Sequence, residues 1–215
     1  MAEETRARGP EPGLRERKKR QTREEISAVA TRLFIERGFE QVTIAQVAEA
    51  ANVAKMTVTN HFPLKEDLVF DRHEEILAGL TDVVAGRAPG ESVLDAARRY
   101  YREALRRGDP TLGQIGVEFA RMIEASPSLV ARERQMHDQR ELALARVLVA
   151  ESAASPEDLR PRIVAAQIVG VVRVLYYEAR RRLLAGADLG ALGAIADAAF
   201  DFLRADIGDD GVKGS

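Results

Sequence analysis

Residues 44–62, IAQVAEAANVAKMTVTNHF, decide the fold. Val47, Ala51, Val53 and Val58 recur where two short helices would press their inner faces together. Ala48 supplies the small side chain that a close helix crossing needs. Between the helices stands Asn52, and after glycine asparagine is the residue that best tolerates a positive φ. Thr43 is placed to cap the first helix, over 44–51, and the second runs over 54–60. Two short helices joined by a tight turn, with apolar contacts at fixed positions, make a helix-turn-helix.

Outward from this unit the pattern stays helical. Upstream, Ile26, Val29, Ala30, Leu33 and Phe34 fall at i, i+3, i+4, i+7 and i+8, one apolar stripe. The spacing predicts a helix from about Thr22, with Thr22 and Glu25 as a capping box. Gly38 should end it, and Phe39 should fold back beneath it. Downstream, Pro63 breaks the chain before an amphipathic helix over 65–85. Beyond Pro89 and Gly90 every segment reads as helix. The segments are 92–107, 111–125, 126–151 (opened by Ser126 and Pro127), 161–184 (opened by Pro161), and a last helix capped by Asp188 and ending near Ala205. Alternation of the strand type never runs beyond a few residues, so the expected fold is all-α with about nine helices. Residues 1–13 read as a disordered lead-in, 14–68 as the helix-turn-helix domain, 69–205 as a larger helical domain and 206–215 as a tail.

Composition narrows the function classes. The 215 residues suffice for one sizeable core or two small ones. Lys+Arg is 32 and Asp+Glu 34, a net charge of −2 that hides an asymmetry. Residues 14–65 carry ten basic and six acidic side chains, whereas 66–215 carry 20 basic and 25 acidic. The positive end includes the run Arg15, Arg17, Lys18, Lys19, Arg20 and Arg23. With no cysteine, disulfide scaffolds, thiolate zinc sites and cysteine nucleophiles are excluded. No apolar run of ~18 residues occurs and the N-terminus is polar, so neither a membrane span nor a signal peptide is expected, and the chain is expected to be cytoplasmic. His61, His73 and His137 are dispersed, and Val58, Phe70 and Arg134 stand three residues before them. The Glu-x-x-His pairs of a di-iron bundle are therefore absent. No G-x-S-x-G, Walker A or G-x-G-x-x-G pattern occurs. Neither an enzyme, a metal nor a cofactor is expected.

Residues 23–68 resemble the DNA-binding domain of the TetR (tetracycline repressor) family of bacterial transcriptional regulators. The residues that carry the resemblance are Ile26, Ala30, Leu33, Phe34, Gly38, Phe39, Thr43, Ile44, Val47, Ala48, Ala51, Val53, Thr57, His61, Phe62, Lys65, Glu66 and Leu68. Three positions depart from the family's habit. Asn52 stands at the usual turn glycine, Thr59 at a tyrosine that touches a phosphate, and Leu64 where a serine often caps the next helix.

The resemblance implies a homodimer on a double-stranded, pseudo-palindromic operator, and a C-terminal domain that dimerises and holds a small-molecule effector. Repression is the family's commoner role. A helical protein-interaction adaptor that does not bind DNA is the alternative. On the DNA reading the second helix enters the major groove. Lys55 would donate to guanine, Asn60 would pair with adenine, and Met56 would meet a thymine methyl. Thr43, Thr57, Thr59 and His61 are candidates for phosphate contacts, with His61 open between that role and packing beside Phe62. Lys65 joins its charge to free backbone amides, and Lys18, Lys19, Arg20 and Arg23 form a basic arm for the backbone or minor groove. In the family the last two helices form the dimer interface. Here they offer the stripe Leu192, Ala196, Ala199, Phe200 and Leu203, which could instead close the monomer's core. Candidate effector contacts are Tyr101, Phe119, Met122, Met136, His137, Tyr176 and Tyr177, each of which could equally be plain core. The run Arg180, Arg181 and Arg182 reads as solvated, and the 65–85 helix is expected to link pocket to reading head.

Overall fold

Charge, not apolar spacing, sets where the first helix begins. In the computed structural model, which describes residues 13–110, 115–152, 155 and 157–207, α1 runs Leu14–Arg37. Thr22 therefore lies inside the helix, and the expected capping box with Glu25 does not form. The reason is that the Arg, Lys, Gln and Glu residues ahead of it are good helix formers. They also pair four apart: Arg20 with Glu24 at 3.8 Å, and the Gln21 amide with Glu25 at 2.9 Å. Lys18, Lys19 and Arg20 thus ride on a helix and not on an arm preceding one. Residues 1–12 of the lead-in expected over 1–13, residues 111–114 of the helix expected over 111–125, and residues 208–215 of the tail expected over 206–215 lie outside the described residues.

Gly38 ends α1 at φ 86°, its amide donating to the Phe34 carbonyl at 2.9 Å. Phe39 is buried edge-on to Phe34, with ring centroids 4.9 Å apart. Thr43 caps α2, Ile44–Ala50, in a full capping box: the Gln46 amide donates to Thr43 Oγ1 at 3.3 Å and the Thr43 amide to Gln46 Oε1 at 2.8 Å. The chain then turns through Asn52 at φ 53° into α3, Lys55–His61. Ile26, Ala30, Phe34, Val47, Val58, Phe62 and Leu68 bury the inner faces of this unit.

The helix expected over 65–85 is broken. Lys65–Leu68 is a single 3₁₀ turn, and α4 starts anew at His73 and runs to Ala85. The cause lies on α1. The Leu68 carbonyl accepts from the Ser27 hydroxyl at 3.1 Å, and the Asp71 carbonyl from the Arg23 guanidinium at 3.1 Å. Both carbonyls are satisfied from another element, so neither needs a helical amide. Leu64 gives no side-chain cap; instead Asp67 Oδ2 accepts from the Leu64 amide at 3.1 Å.

The chain divides into two compact units between Asp71 and Arg72. The second contains α4, α5 (Val93–Arg106), α6 (Val117–Ala125), α7 (Pro127–Glu151), α8 (Arg160–Leu184) and α9 (Leu192–Ile207). Among the described residues there are nine α-helices and no strand. Asp188 does not cap α9; its carboxylate accepts from the Gly190 amide at 2.8 Å, ahead of the helix. α7 packs on α4, α6 and α8, and α5 packs on α4 and α9. A Cβ on Gly79 would stand 2.9 Å from the Tyr100 hydroxyl, so a larger residue on α4 would push the Tyr100 side chain of α5 aside.

The stripe expected to face a partner closes the protomer's own core. Leu192, Ala196, Phe200 and Leu203 are buried, and Ala199 is half-buried against the same cluster of Leu94, Ala97, Tyr101, Ile168 and Val172. α9 carries apolar residues on two sides, and α5 and α8 consume this one. The other side, with Ala194, Ala198 and Phe202, is exposed.

Candidate nucleic-acid interface

Val58 is fully buried and pins α3 to α2. That anchor turns Lys55, Met56, Thr59 and Asn60 outward, at i, i+1, i+4 and i+5, as one exposed stripe. Met56 is 67% exposed, a large apolar side chain held in solvent. Thr57 is half-buried beside the stripe. The Thr59 hydroxyl donates to the helix backbone, 3.2 Å from the Met56 carbonyl and 3.4 Å from that of Lys55. A hydroxyl has one proton to give, so Thr59 must rotate before it can donate to a phosphate. Thr43 is exposed, with its own hydroxyl engaged by Gln46 at 3.1 Å.

Two of the expected phosphate cations are tied into the unit. The Arg23 guanidinium lies 4.3 Å over the Phe62 ring and donates to the carbonyls of His61 and Asp71. Lys65 Nζ donates to the Phe39 carbonyl at 2.6 Å and lies 4.2 Å from that ring. Burial holds the Lys65 ammonium's pKa below the usual lysine range. Both residues therefore act as clamps within the unit: Arg23 ties α1 to the end of α3, and Lys65 ties the 3₁₀ turn to the segment after α1. His61 is half-buried, its ring 6.3 Å from that of Phe62. Burial, and then the Arg23 and Lys19 cations, lower its pKa, leaving a neutral ring with one N–H to donate near pH 7. Lys18, Lys19 and Arg20 are exposed along the first turns of α1.

The arrangement presents a polar and apolar reading face on a short helix, with exposed cations on a second helix of the same unit. The family pattern described as "Bacterial regulatory proteins, tetR family" matches residues 26–71, from the middle of α1 to just past the 3₁₀ turn. Over 202 residues the chain is 33% identical to the HTH-type transcriptional regulator TcmR of Streptomyces glaucescens, covering 91% of this chain and 88% of that protein. This chain belongs to the tetR family of bacterial regulatory proteins. Its fold is similar to that of a TetR-family regulator from Streptomyces coelicolor A3, with a TM-score of 0.54 and 25% identity, over 94% of this chain and 99% of that one. It is also similar to FadR of Thermus thermophilus, a TetR-family transcriptional repressor solved with lauroyl-CoA; the TM-score is 0.50 and the identity 23%, over 84% of this chain and 92% of that one.

In this tetR-family chain the expected effector residues do not all meet. His137, Tyr176 and Tyr177 do, as three rings packed edge to face with centroids 5.5 to 5.7 Å apart. Met122 and Met136 are buried on α6 and α7, and Phe119 is half-buried on α6. Tyr101 is fully buried in the core cluster, its ring 6.3 Å from that of Phe200. Sequence reasoning missed Glu133, Arg140 and the burial of Arg180. Arg180 is not solvated: it donates to Glu133 at 2.8 Å and stacks 5.1 Å from the Tyr177 ring, while Arg181 and Arg182 pair with Glu178. The available signal was spacing. Leu129, Glu133, Met136, Arg140, Leu144 and Leu148 fall on one helical stripe, which places two charges on α7's buried face.

Proposed function

We propose that the chain is a homodimeric repressor that reads a pseudo-palindromic operator and is released by a small molecule. The observation that carries the DNA reading is the outward stripe of α3: Lys55, Met56, Thr59 and Asn60 are exposed on a helix whose opposite side is anchored by Val58. A single short helix reads few base pairs, so two copies related by a two-fold axis are needed for discrimination. The exposed side of the last two helices supports that pairing. Ile163 and Val174 on α8 and Phe202 on α9 are among the large apolar side chains left in solvent, with Gly170, Ala194 and Ala198 leaving room for close approach. Repression and response to an effector are carried over in this proposal from relatives named as repressors, one of them of similar fold and solved with a bound acyl-CoA. An effector dissociates DNA only by favouring a conformation in which the reading helices are wrongly spaced. The chain carries no catalytic role in this reading, and it acts in the cytoplasm. Selection from a random duplex pool at near-physiological salt tests it. The expected product is an inverted repeat with half-sites about one helical turn apart. A folded dimer that enriches nothing hands the site to the adaptor alternative.

A further inference from the structure

Three arginines are buried among the described residues: Arg87, Arg140 and Arg180. Two have carboxylate partners. Arg87 meets Glu151 at 2.7 Å and donates to the Val84 carbonyl at 2.8 Å; Arg180 meets Glu133 at 2.8 Å. Arg140 is the most deeply buried of the three, at 2% exposure, and has no ion pair or hydrogen bond to a described residue; its Nε is enclosed without a partner. Tyr100, Tyr176 and Asp109 are the groups around it that bear on its charge, and Asp109 itself lies 3.8 Å from Arg72. A guanidinium is charged at any physiological pH, so it cannot relieve burial by losing its proton as a lysine can. A cation left in this state costs stability that a purely structural side chain would not impose.

The groups beside it are also incompletely satisfied. One turn back on α7, His137 Nε2 is buried without a partner. Burial, followed by the Arg140, Arg173 and Arg180 cations, pushes its pKa down to about 3, so the ring adds hydrogen-bonding capacity but no charge. A turn further back, Glu133 accepts from Tyr176 at 2.7 Å and from Arg180 through Oε1, while Oε2 has no partner. The edge-to-face rings of His137, Tyr176 and Tyr177 stand beside these atoms.

We infer that Arg140 is the counter-ion for an organic anion, a small carboxylic acid with an apolar body, held where α5, α7 and α8 meet. The carboxylate would complete the guanidinium's hydrogen bonds, with His137 Nε2 as a second polar contact. The aromatic edges and Met136 favour the apolar body. This deepens the regulator reading by naming the effector's chemistry, and it rests on that reading only for the consequence of binding, because its test needs no DNA.

The test is thermal unfolding of the full chain, wild type and R140M, with benzoate, 2-naphthoate and octanoate, each beside its neutral amide. Without any probe, R140M should melt at or above the wild-type temperature, since an unpaired buried charge has been removed. At least one acid at saturating concentration should raise the wild-type melting point by about 5 °C, its amide should not, and R140M should lose the shift. An R140M protein that melts well below wild type makes Arg140 a structural residue and overturns the inference. So does a panel that shifts nothing, or one that shifts wild type and R140M alike. An operator found by selection with no acid response leaves the regulator reading standing without this site. An acid response with no operator leaves the site standing without the regulator.

Discussion

Lys55 separates reading from gripping more sharply than any other side chain on α3. It is exposed, has no ion-pair partner among the described residues, and begins the helix whose stripe continues through Met56, Thr59 and Asn60. If it donates to a base edge, Lys55→Ala costs about 1–3 kcal/mol of operator binding and flattens preference at one position per half-site. Titration of the selected operator and its single-base variants checks this. A loss spread evenly over all sequences reassigns Lys55 to the phosphates. At the same scale, His137 makes stability depend on pH. Its folded pKa is pushed down to about 3 from an ordinary 6.5, first by burial and then by Arg140, Arg173 and Arg180; Glu133, Tyr176 and Tyr177 complete its charged and titratable surroundings. Above pH 6.5 the ring is neutral in both folded and unfolded chains, and its contribution is intact. As pH falls from 6.5 towards 3, the unfolded chain takes up a proton that the folded one refuses, and stability drops by up to about 1.4 kcal/mol per pH unit. Denaturant melts at pH 7 and pH 5 should therefore converge in His137→Gln relative to wild type; parallel behaviour of the two proteins would show that the ring titrates normally.

Among the elements, the α2–α3 turn is the one whose strain is local and can be changed at a single position. Asn52 holds φ 53°, the left-handed region that glycine adopts most freely. Asn52→Gly should leave the melting point unchanged or slightly raised, whereas Asn52→Val, whose branched side chain resists this region, should cost about 1–2 kcal/mol. An Asn52→Val protein as stable as wild type would mean that the turn can flatten without loss. The same turn shows what was legible in the sequence. Thr43, Gly38 and Asn52 act within a few residues of themselves, Val47 and Val58 are buried on two adjacent short helices, and α2 and α3 were readable from them. The start of α1 was not, because a mostly basic, polar run of good helix formers forms helix without an apolar period. The break before α4 was not either, since Ser27 and Arg23 make it from 41 and 48 residues away. Lys65 and Arg23 were expected at phosphates because exposed cations and cations lying over aromatic rings look alike as letters. Arg140 escaped for the complementary reason: periodicity assigns charges to solvent, and only the folded packing shows one buried with its Nε unpartnered among the described residues.

At the scale of the molecule, the question is which side of α9 belongs to the protomer. Phe200 is 1% exposed and Phe202 is 73% exposed, two residues apart on one helix. Substituting the first by alanine should open a cavity and cost about 3–5 kcal/mol. Substituting the second removes nothing from the core, so Phe202→Glu should keep the wild-type helix content and a melting point governed by the protomer alone. Its effect should fall on association. A carboxylate placed on the exposed apolar side of α9, beside Ala198 and next to α8, would be desolvated without a partner at a two-fold contact, and would be so twice by symmetry. Sedimentation equilibrium should show the variant as a monomer at concentrations where wild type is a dimer. Binding to the full inverted repeat should fall to the affinity of an isolated half-site, because the two reading helices would no longer arrive on one particle. A Phe202→Glu protein that stays dimeric would move the interface off this side of α9, and the operator's symmetry would then need another pairing surface to explain it.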